Sequence, residues 1–436
     1  MREWQNTELG LIPSDWKIVS FRELLCEKVR NGVYKPAEYH GKGCKIVNMG
    51  ELFAFPRLKS SEQMQLIELT EDELKKFSLQ KGDLIFARRS LIMEGAGKCS
   101  LIYDVKEPLT FESSIIRARP NREKADPIFL FHFFNSRIGR YLLGTIMRVT
   151  AVAGITGTDL MELNLPLPSL PQQKSIAHLL DTFDRKISLL HRQNRTLEAM
   201  ARTLFKRWFI DFEFPDAQGR PYRSSGGKMV EGEMGEMPEG WGVGKILNLA
   251  RIKKMSISPT QYPKKEFCHY SIPAYDEGQT PKRELGAQIL SSKFIVEKHS
   301  ILVSKLNPSI SRIWDIHEVD ETFSICSTEF QVFIPRKELL FPFLFFLFKA
   351  RYVAKEMAQR ATGTSGSHQR IRPDDILDID IMIPAEDLIL KYSEAAGDLL
   401  KKKCSNLNKI QTLTALRDTL LPKLMNGELR VRDVEI

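Results

Sequence analysis

The sequence predicts an α+β fold built twice: two homologous α/β domains separated by two long antiparallel coiled-coil helices, an internal two-fold repeat. Three observations lead there. Segments recur in the same order about 216 residues apart, a long run of apolar residues keeps heptad spacing, and the excess positive charge lies on the two helical segments alone.

The repeat comes first because it sets the domain organisation. "LGLIPSDWKI" (9–18) returns as "MGEMPEGWGV" (234–243) in the frame G-x-x-P-x-x-W, which matches Trp16 to Trp241. "KFSLQKGDLIFARRS" (76–90) returns as "KFIVEKHSILVSKLN" (293–307), and "FLFHFFNSR" (129–137) as "FLFFLFKAR" (343–351). "LNLPLPSLPQQK" (163–174) returns as "IDIMIPAEDLIL" (379–390), matching Pro168 to Pro384. The offsets drift by a few residues, as insertions in surface loops allow. Each half opens with short apolar strands and Gly/Asn/Pro turns, as in "RNGVYKPAEYHGKG" (30–43) and "NPSIS" (307–311), and closes with a helix. "PDAQGRPYRSSGGK" (215–228) reads as an exposed linker.

The helices carry the sharpest physical signal. After Pro171, Ile176, Leu180, Phe183, Ile187, Leu190, Asn194, Leu197, Ala201, Leu204 and Trp208 alternate in steps of four and three, a heptad seam. A helix of roughly 33 residues at about 1.5 Å per residue is near 50 Å long, a rod or spacer. Asn194 falls on an a-type position, where a polar residue fixes register at some cost in stability. The same frame shifted by 216 gives Tyr392, Ala396, Leu399, Lys403, Asn406, Ile410, Leu413, Arg417, Leu420 and Leu424. Three of these are polar, and Leu407 and Leu416 lie beside two of them, so this helix either packs on a shifted stripe or turns its middle away from its twin. Gly427 is the expected stop. The plainer reading is two unrelated core helices; pairing with each other is the closure a two-fold repeat favours.

Residues 172–208 hold eight Lys/Arg against three Asp/Glu, and residues 388–424 hold seven against three, which accounts for the whole net charge of +9. Such faces meet DNA, an acidic protein or solvent. The 436-residue length asks for more than one domain. The 42% hydrophobic and 27% charged content is that of a globular protein. Six scattered cysteines exclude a zinc or disulfide framework and fit a reducing cytoplasm. No signal-peptide pattern opens the chain, and "LLFPFLFFLF" (339–348) is too short to span a bilayer and reads as core.

Catalytic motifs fail on inspection. Clustered carboxylates with a lysine, the needs of a metal-dependent nuclease, are not evident, and no metal site is expected. "GAGKCS" (95–100) would place the first glycine of a P-loop on Ile92. "NPSI" (307–310) lacks the second proline and the aromatic of an amino-methyltransferase loop. His178 and His191 read as solvated or partner-facing. The chain is expected to bind rather than catalyse. The candidate DNA contacts lie in loops: Asn31, Tyr34, Lys35, Arg88, Arg89, Ser90 and Lys98 in the first half, and Lys305, Asn307, Ser309 and Arg312 in the second. The Gly/Ser/Thr loop "RATGTSGSHQR" (360–370) adds Arg360, Thr364, Ser365, His368, Gln369 and Arg370, with "TAVAGITGT" (150–158) as its equivalent. Arg and Lys pair with guanine edges, Asn and Gln with adenine, and small residues let backbone approach a phosphate.

The G-x-x-P-x-x-W frame at both half starts, "LNLPLPSLPQQKSIAHLLDTFDRKI" (163–187), "LFKRWFIDFEFP" (204–215) and "LRDTLLPKLMNGEL" (416–429) together resemble the specificity subunit of Type I restriction–modification systems over nearly the whole chain. "PAEDLILKY" (384–392) departs from that pattern in lacking the usual glutamine-containing approach to the helix. The resemblance implies target-recognition domains at 1–168 and 233–385, conserved helices at 169–214 and 386–436, and a linker at 215–232. It further implies that each domain reads half of a bipartite, asymmetric DNA site. The helices would dock two modification subunits that bring S-adenosylmethionine, and a restriction subunit that uses ATP and Mg would join. The subunit itself would bind no cofactor and catalyse nothing. A protein scaffold without DNA readout is the competing reading.

Overall fold

A computed structural model of the chain describes residues 3–8, 10–149, 153–319, 323–363 and 369–433. The residues fall into two compact units, Met1–Ser188 with Gln411–Ile436, and Leu189–Ile410. Each unit holds one mixed α/β domain and one stretch of each long helix, Leu170–Phe209 (the central helix) and Glu386–Met425 (the second long helix).

The two units repeat one topology. In the first, strand Leu84–Ala87 lies between Cys99–Asp104 and Ile115–Ala118, with Arg30–Asn31 and Arg57–Lys59 at the edges. In the second, Ser300–Ser304 lies between Ile313–Ile316 and Phe330–Pro335, with Ala250–Lys253 beyond. The central strands are buried on both faces, which explains their unbroken apolar runs. A smaller sheet follows in each unit, where His40–Val47 pairs parallel with Leu109–Phe111, and Glu266–Tyr270 parallel with Ser324–Cys326.

The G-x-x-P-x-x-W frames are hairpins. Trp4–Thr7 pairs with Gly10–Pro13, and Met229–Gly232 with Gly235–Pro238. Gly10 and Gly235 take φ of +92° and +95°, which an L side chain resists, so the first residue of the frame is glycine for conformational reasons. Trp16 and Trp241 are both buried. The leucine and isoleucine strands then close each domain: Asn164–Leu167 pairs antiparallel with Lys17–Ser20, and Asp380–Ile383 with Gly242–Lys245.

The apolar run at 341–348 is a helix with every side chain buried. Its Phe343 packs on Phe209 of the central helix, ring centroids 4.8 Å apart. Its equivalent, Pro127–Asn135, shares a core with Ile176–Leu180 of the central helix and with Leu424 and Met425 of the second. The linker is mostly exposed, as expected, and it is folded. Phe214 stacks on Tyr222 at 4.5 Å and on Trp241 at 5.8 Å, and Phe212 meets Trp241 edge-on, so buried aromatic area holds the Gly/Ser-rich segment.

The two helix stretches run antiparallel within each unit. In the first, Arg417 reaches Asp184 at 2.8 Å while Leu424 lies in one core with Ile176 and Leu180. In the second, Asn406 bonds Asn194 at 2.9 Å, Lys403 bonds Glu198 at 2.9 Å, and the Tyr392 hydroxyl donates to the Ala201 carbonyl. Ile176, Leu180, Leu190, Asn194, Ile410 and Leu424 are buried; Phe183, Ile187, Leu197, Leu204, Trp208, Leu399, Leu413 and Leu420 are half-buried. Beyond Leu197 the most buried line moves to Ala201, Phe205 and Phe209, because this stretch packs on a sheet domain as well as on its twin. The second helix does not shift its stripe: Lys403 and Asn406 sit in the seam, 4% and 1% exposed. Gly427 takes φ of +74° and ends the helix.

Candidate nucleic-acid interface

One end of each central sheet gathers the polar loops. The Arg88 amide donates to Ser114 O at 2.8 Å, and its carbonyl accepts from Ile155 at 3.0 Å. The Lys305 amide donates to Glu329 O at 2.8 Å, and its carbonyl accepts from Ile371 at 3.1 Å. These are one arrangement built twice. After it, Arg89–Ser90 pairs with Ala153–Gly154 of a second hairpin, and Leu306 bridges Arg370. On the other side of the sheet, Asn31 pairs with Ile116, and Gly32 approaches so closely that a Cβ there would meet the carbonyl oxygens of Phe111 and Glu112 at 2.2 Å. Asn31, Tyr34, Arg88, Arg89 and Ser90 therefore share one end of the first domain. Lys305, Asn307, Ser309, Gln369 and Arg370 share the equivalent end of the second, where the Asn307 amide donates to Gln369 O at 2.9 Å. Thr364, Ser365 and His368 lie outside the described residues.

The side chains divide by what already holds them. Arg89 and Asn31 are exposed, Tyr34 is 81% exposed, and neither Arg88 nor Arg89 meets a carboxylate among the described residues. Lys35 pairs with Glu73 at 2.8 Å and lies over the Tyr39 ring. Lys98 donates to Phe53 O at 3.0 Å, and burial lowers its pKa, so it braces a loop. Burial likewise lowers Lys305, beside the Phe294 ring. Arg312 is gripped by both oxygens of Asp276 at 2.8 and 2.9 Å, and Arg370 by Glu329 at 3.1 and 3.0 Å; each hydrogen-bonded carboxylate raises the guanidinium pKa. Arg360 is held by Glu356 and by Asp375 O.

Several residues at this end escaped the sequence reading. Lys254 and Met255 are exposed just past strand Ala250–Lys253, where Tyr34 follows Arg30–Asn31 in the first half. Arg148, in the hairpin opposite Arg89, pairs with Asp159 at 2.7 Å yet stays exposed. Leu91, Ile92 and Met93 are exposed at the tip beyond Ser90. The equivalence of the strands before them is the signal that finds all of these.

The long helices present a second surface. All eight cations of residues 172–208 are exposed, whereas Asp181, Asp184 and Glu198 turn inward. On the second long helix Lys403 is buried and Arg417 half-buried, while Glu394, Asp398 and Asp418 are exposed. The basic outer face expected of both helices is thus concentrated on the central one. His178 is exposed, and burial lowers the pKa of His191. No group of three His, Cys, Asp or Glu able to hold a metal occurs among the described residues, and no described helix is long and apolar enough to cross a membrane.

Comparison with known proteins assigns this architecture. The Type I restriction modification DNA specificity domain matches residues 13–199 and again 238–392. The chain is 25% identical to the Type I restriction enzyme MjaIX specificity subunit of Methanocaldococcus jannaschii, over 99% of this chain and 98% of that one. It is 23% identical to the HindI specificity subunit of Haemophilus influenzae over 81% of this chain and 88% of that one. The crystal structure of a Type I restriction–modification S subunit from M. genitalium shares the fold, with a TM-score of 0.58 at 16% identity over 94% of this chain and 96% of that one. A matched domain in each half, on a central sheet whose core strands repeat between them, places the chain in the family of Type I restriction–modification specificity subunits, which recognise rather than catalyse.

Proposed function

We propose that the chain reads a bipartite, asymmetric DNA site, one half with each sheet end, and that the long helices dock two modification subunits and set the unread spacer. The observation that carries this reading is the duplicated clamp. Arg88 between Ser114 and Ile155, and Lys305 between Glu329 and Ile371, hold the same backbone position with different side chains around it. A conserved frame with divergent readers is what two unlike half-sites require. The exposed cations of the central helix suit an acidic partner face or phosphate. On this reading S-adenosylmethionine belongs to the modification subunits, and ATP with Mg to a restriction subunit.

Exchanging residues 1–150 for those of a relative, then mapping methylated adenines in a genome carrying the chain and its modification subunits, changes one half-site and leaves the other intact. Loss of both half-sites from a folded protein counts against the proposal. Selection from random DNA yields an enriched bipartite site; no enrichment, with or without modification subunits, favours the scaffold reading. Inserting one heptad into both helices lengthens the preferred spacer by roughly three base pairs, since seven residues rise about 10 Å.

A further inference from the structure

The tip beyond Ser90 is a built feature. The Ile92 amide donates to Ser90 Oγ at 3.2 Å, a short 3-10 turn runs over Met93–Gly95, and the Gly97 amide returns to Ala87 O at 2.8 Å. Arg140 donates to Glu94 O at 2.7 Å and to Ala96 O at 3.3 Å, while Lys98 ties the other side to Phe53 O. A Cβ on Gly95 would fall 2.2 Å from Ser90 Oγ, so the turn closes only with glycine. This brace carries three large apolar side chains into solvent: Leu91 is 93%, Ile92 61% and Met93 56% exposed.

Consecutive exposed apolar residues on a braced loop call for something to cover them. Their neighbours point to the partner. Arg88 and Arg89 precede the tip and meet no carboxylate among the described residues, whereas Arg148 in the hairpin opposite is paired with Asp159 and Glu94 is exposed on the tip itself, so the two arginines at the foot of the tip are the cations that suit it to a duplex. Apolar side chains flanked by arginines enter DNA by parting a base step. At the equivalent place in the second half Pro308 is buried, Ser309 is polar, and only Ile310 is an exposed apolar side chain, at 48%.

We propose that Leu91, Ile92 and Met93 form a wedge that enters the base stack at the half-site read by the first domain, and that the second domain reads its half-site with the stack closed. The proposal rests on the DNA-reading function above. The test uses the full chain with its modification subunits on a duplex carrying its mapped site, comparing the wild type with Leu91→Ser/Ile92→Ser/Met93→Ser. Permanganate reactivity of thymines is read in each half-site. Any base drawn out by the modification subunits is common to both proteins and cancels in the difference.

The expected result is about threefold or greater thymine reactivity in the first half-site with the wild type, lost in the triple variant, together with roughly tenfold weaker binding and an unchanged salt slope. An unchanged thermal melt establishes that the variant folds, as expected of three side chains that are mostly exposed. Equal reactivity with both proteins, while the site is bound, overturns the wedge and leaves the DNA-reading function standing. Loss of modification-subunit assembly with unchanged reactivity overturns it in favour of a protein contact. Failure of the wild type to select any site overturns the wedge and the function together.

Discussion

In the first unit the charges that tie the sheet domain to the helices run from Arg57 and Arg417 to Asp181 and Asp184 of the central helix. In the second they run from Lys403 of the second long helix to Asp315 of the sheet and Glu198 of the central helix, both at 2.9 Å, with Lys349 on Glu198 at 2.6 Å. The apolar skeleton repeats between the units, but these charges do not. Asp184 corresponds to Leu400, and Asp315 to Leu101, which pairs with Leu84 as Asp315 pairs with Ile301. Each sheet domain therefore matches the helix stretch beneath it and not its twin's. Duplication supplied the fold, and buried polar chemistry made the two seats different.

The largest effect comes from breaking the second network. Lys403→Met takes from Asp315 its lysine and leaves Glu198 to Lys349; both carboxyls are held well below the usual range against the pull of burial, chiefly by the Lys403 charge. The expected loss is about 3–5 kcal/mol, read as a fall in denaturation midpoint of the second unit. Adding Asp315→Leu restores most of it, since Lys349 keeps Glu198 paired and an apolar replacement of a buried ion pair is often neutral. A midpoint unmoved by Lys403→Met would mean that the two seats differ in no way that matters.

Much of this scaffold was legible beforehand, because apolar period and repeat are local signals. The heptad run located the central helix and put Asn194 in its seam. Lys403, Asn406 and Arg417 looked instead like breaks in the second helix's frame. Their partners lie 205, 212 and 233 residues away, and no local pattern announces a neutralising charge at such distance. The candidate interface could be placed on loops and not side chain by side chain. Arg312 and Arg370 read as free cations until Asp276 and Glu329 appeared beside them. Leu91–Met93 carry no sequence signal of exposure, because three apolar residues in a row are seen to lie outside the core only once strand Leu84–Ala87 is known to end before them.

A smaller effect separates register from stability. Asn406→Leu leaves the Asn194 amide buried without its partner, at a cost of about 1–3 kcal/mol. Changing both to Leu recovers the stability and loosens the register, because an apolar seam tolerates sliding that a paired amide forbids. Spin labels on exposed Arg195 and Lys409, both in the second unit, then give a broadened distance distribution. A distribution as narrow as the wild type's would assign register to the sheet domains instead.

The units also part on acidification. Burial drives His132 down to about 3, and its place in the second half is held by Phe346. The unfolded chain takes up this proton near pH 6.5 while the folded unit resists it, so the contribution is whole above pH 6.5 and shrinks as pH falls toward 3. Glu198, lowered to about 2 with Lys403 as the leading stabilising charge, loses its share only below about pH 4.5. Hydrogen exchange in the first unit accelerates by about tenfold at pH 5.5, after correction for intrinsic rates, as one pH unit is worth about 1.4 kcal/mol. His132→Phe, copying the second half, abolishes that limb; its survival would place the sensitivity elsewhere.

The smallest change in stability belongs to the surface, where the comparison becomes one of availability. Arg89→Ala removes a cation that meets no carboxylate among the described residues, so folding moves by less than about 0.5 kcal/mol. If Arg89 lies on phosphate, the slope of log affinity against log salt falls by about 1, with weakening uniform across sequences. Arg370→Ala does less, because Glu329 already neutralises that guanidinium through two hydrogen bonds. Glu329→Gln reverses the order: it releases Arg370 and raises the salt slope of the second half-site while leaving the first untouched. A slope unaffected by Glu329→Gln would show that Arg370 serves the loop rather than the DNA.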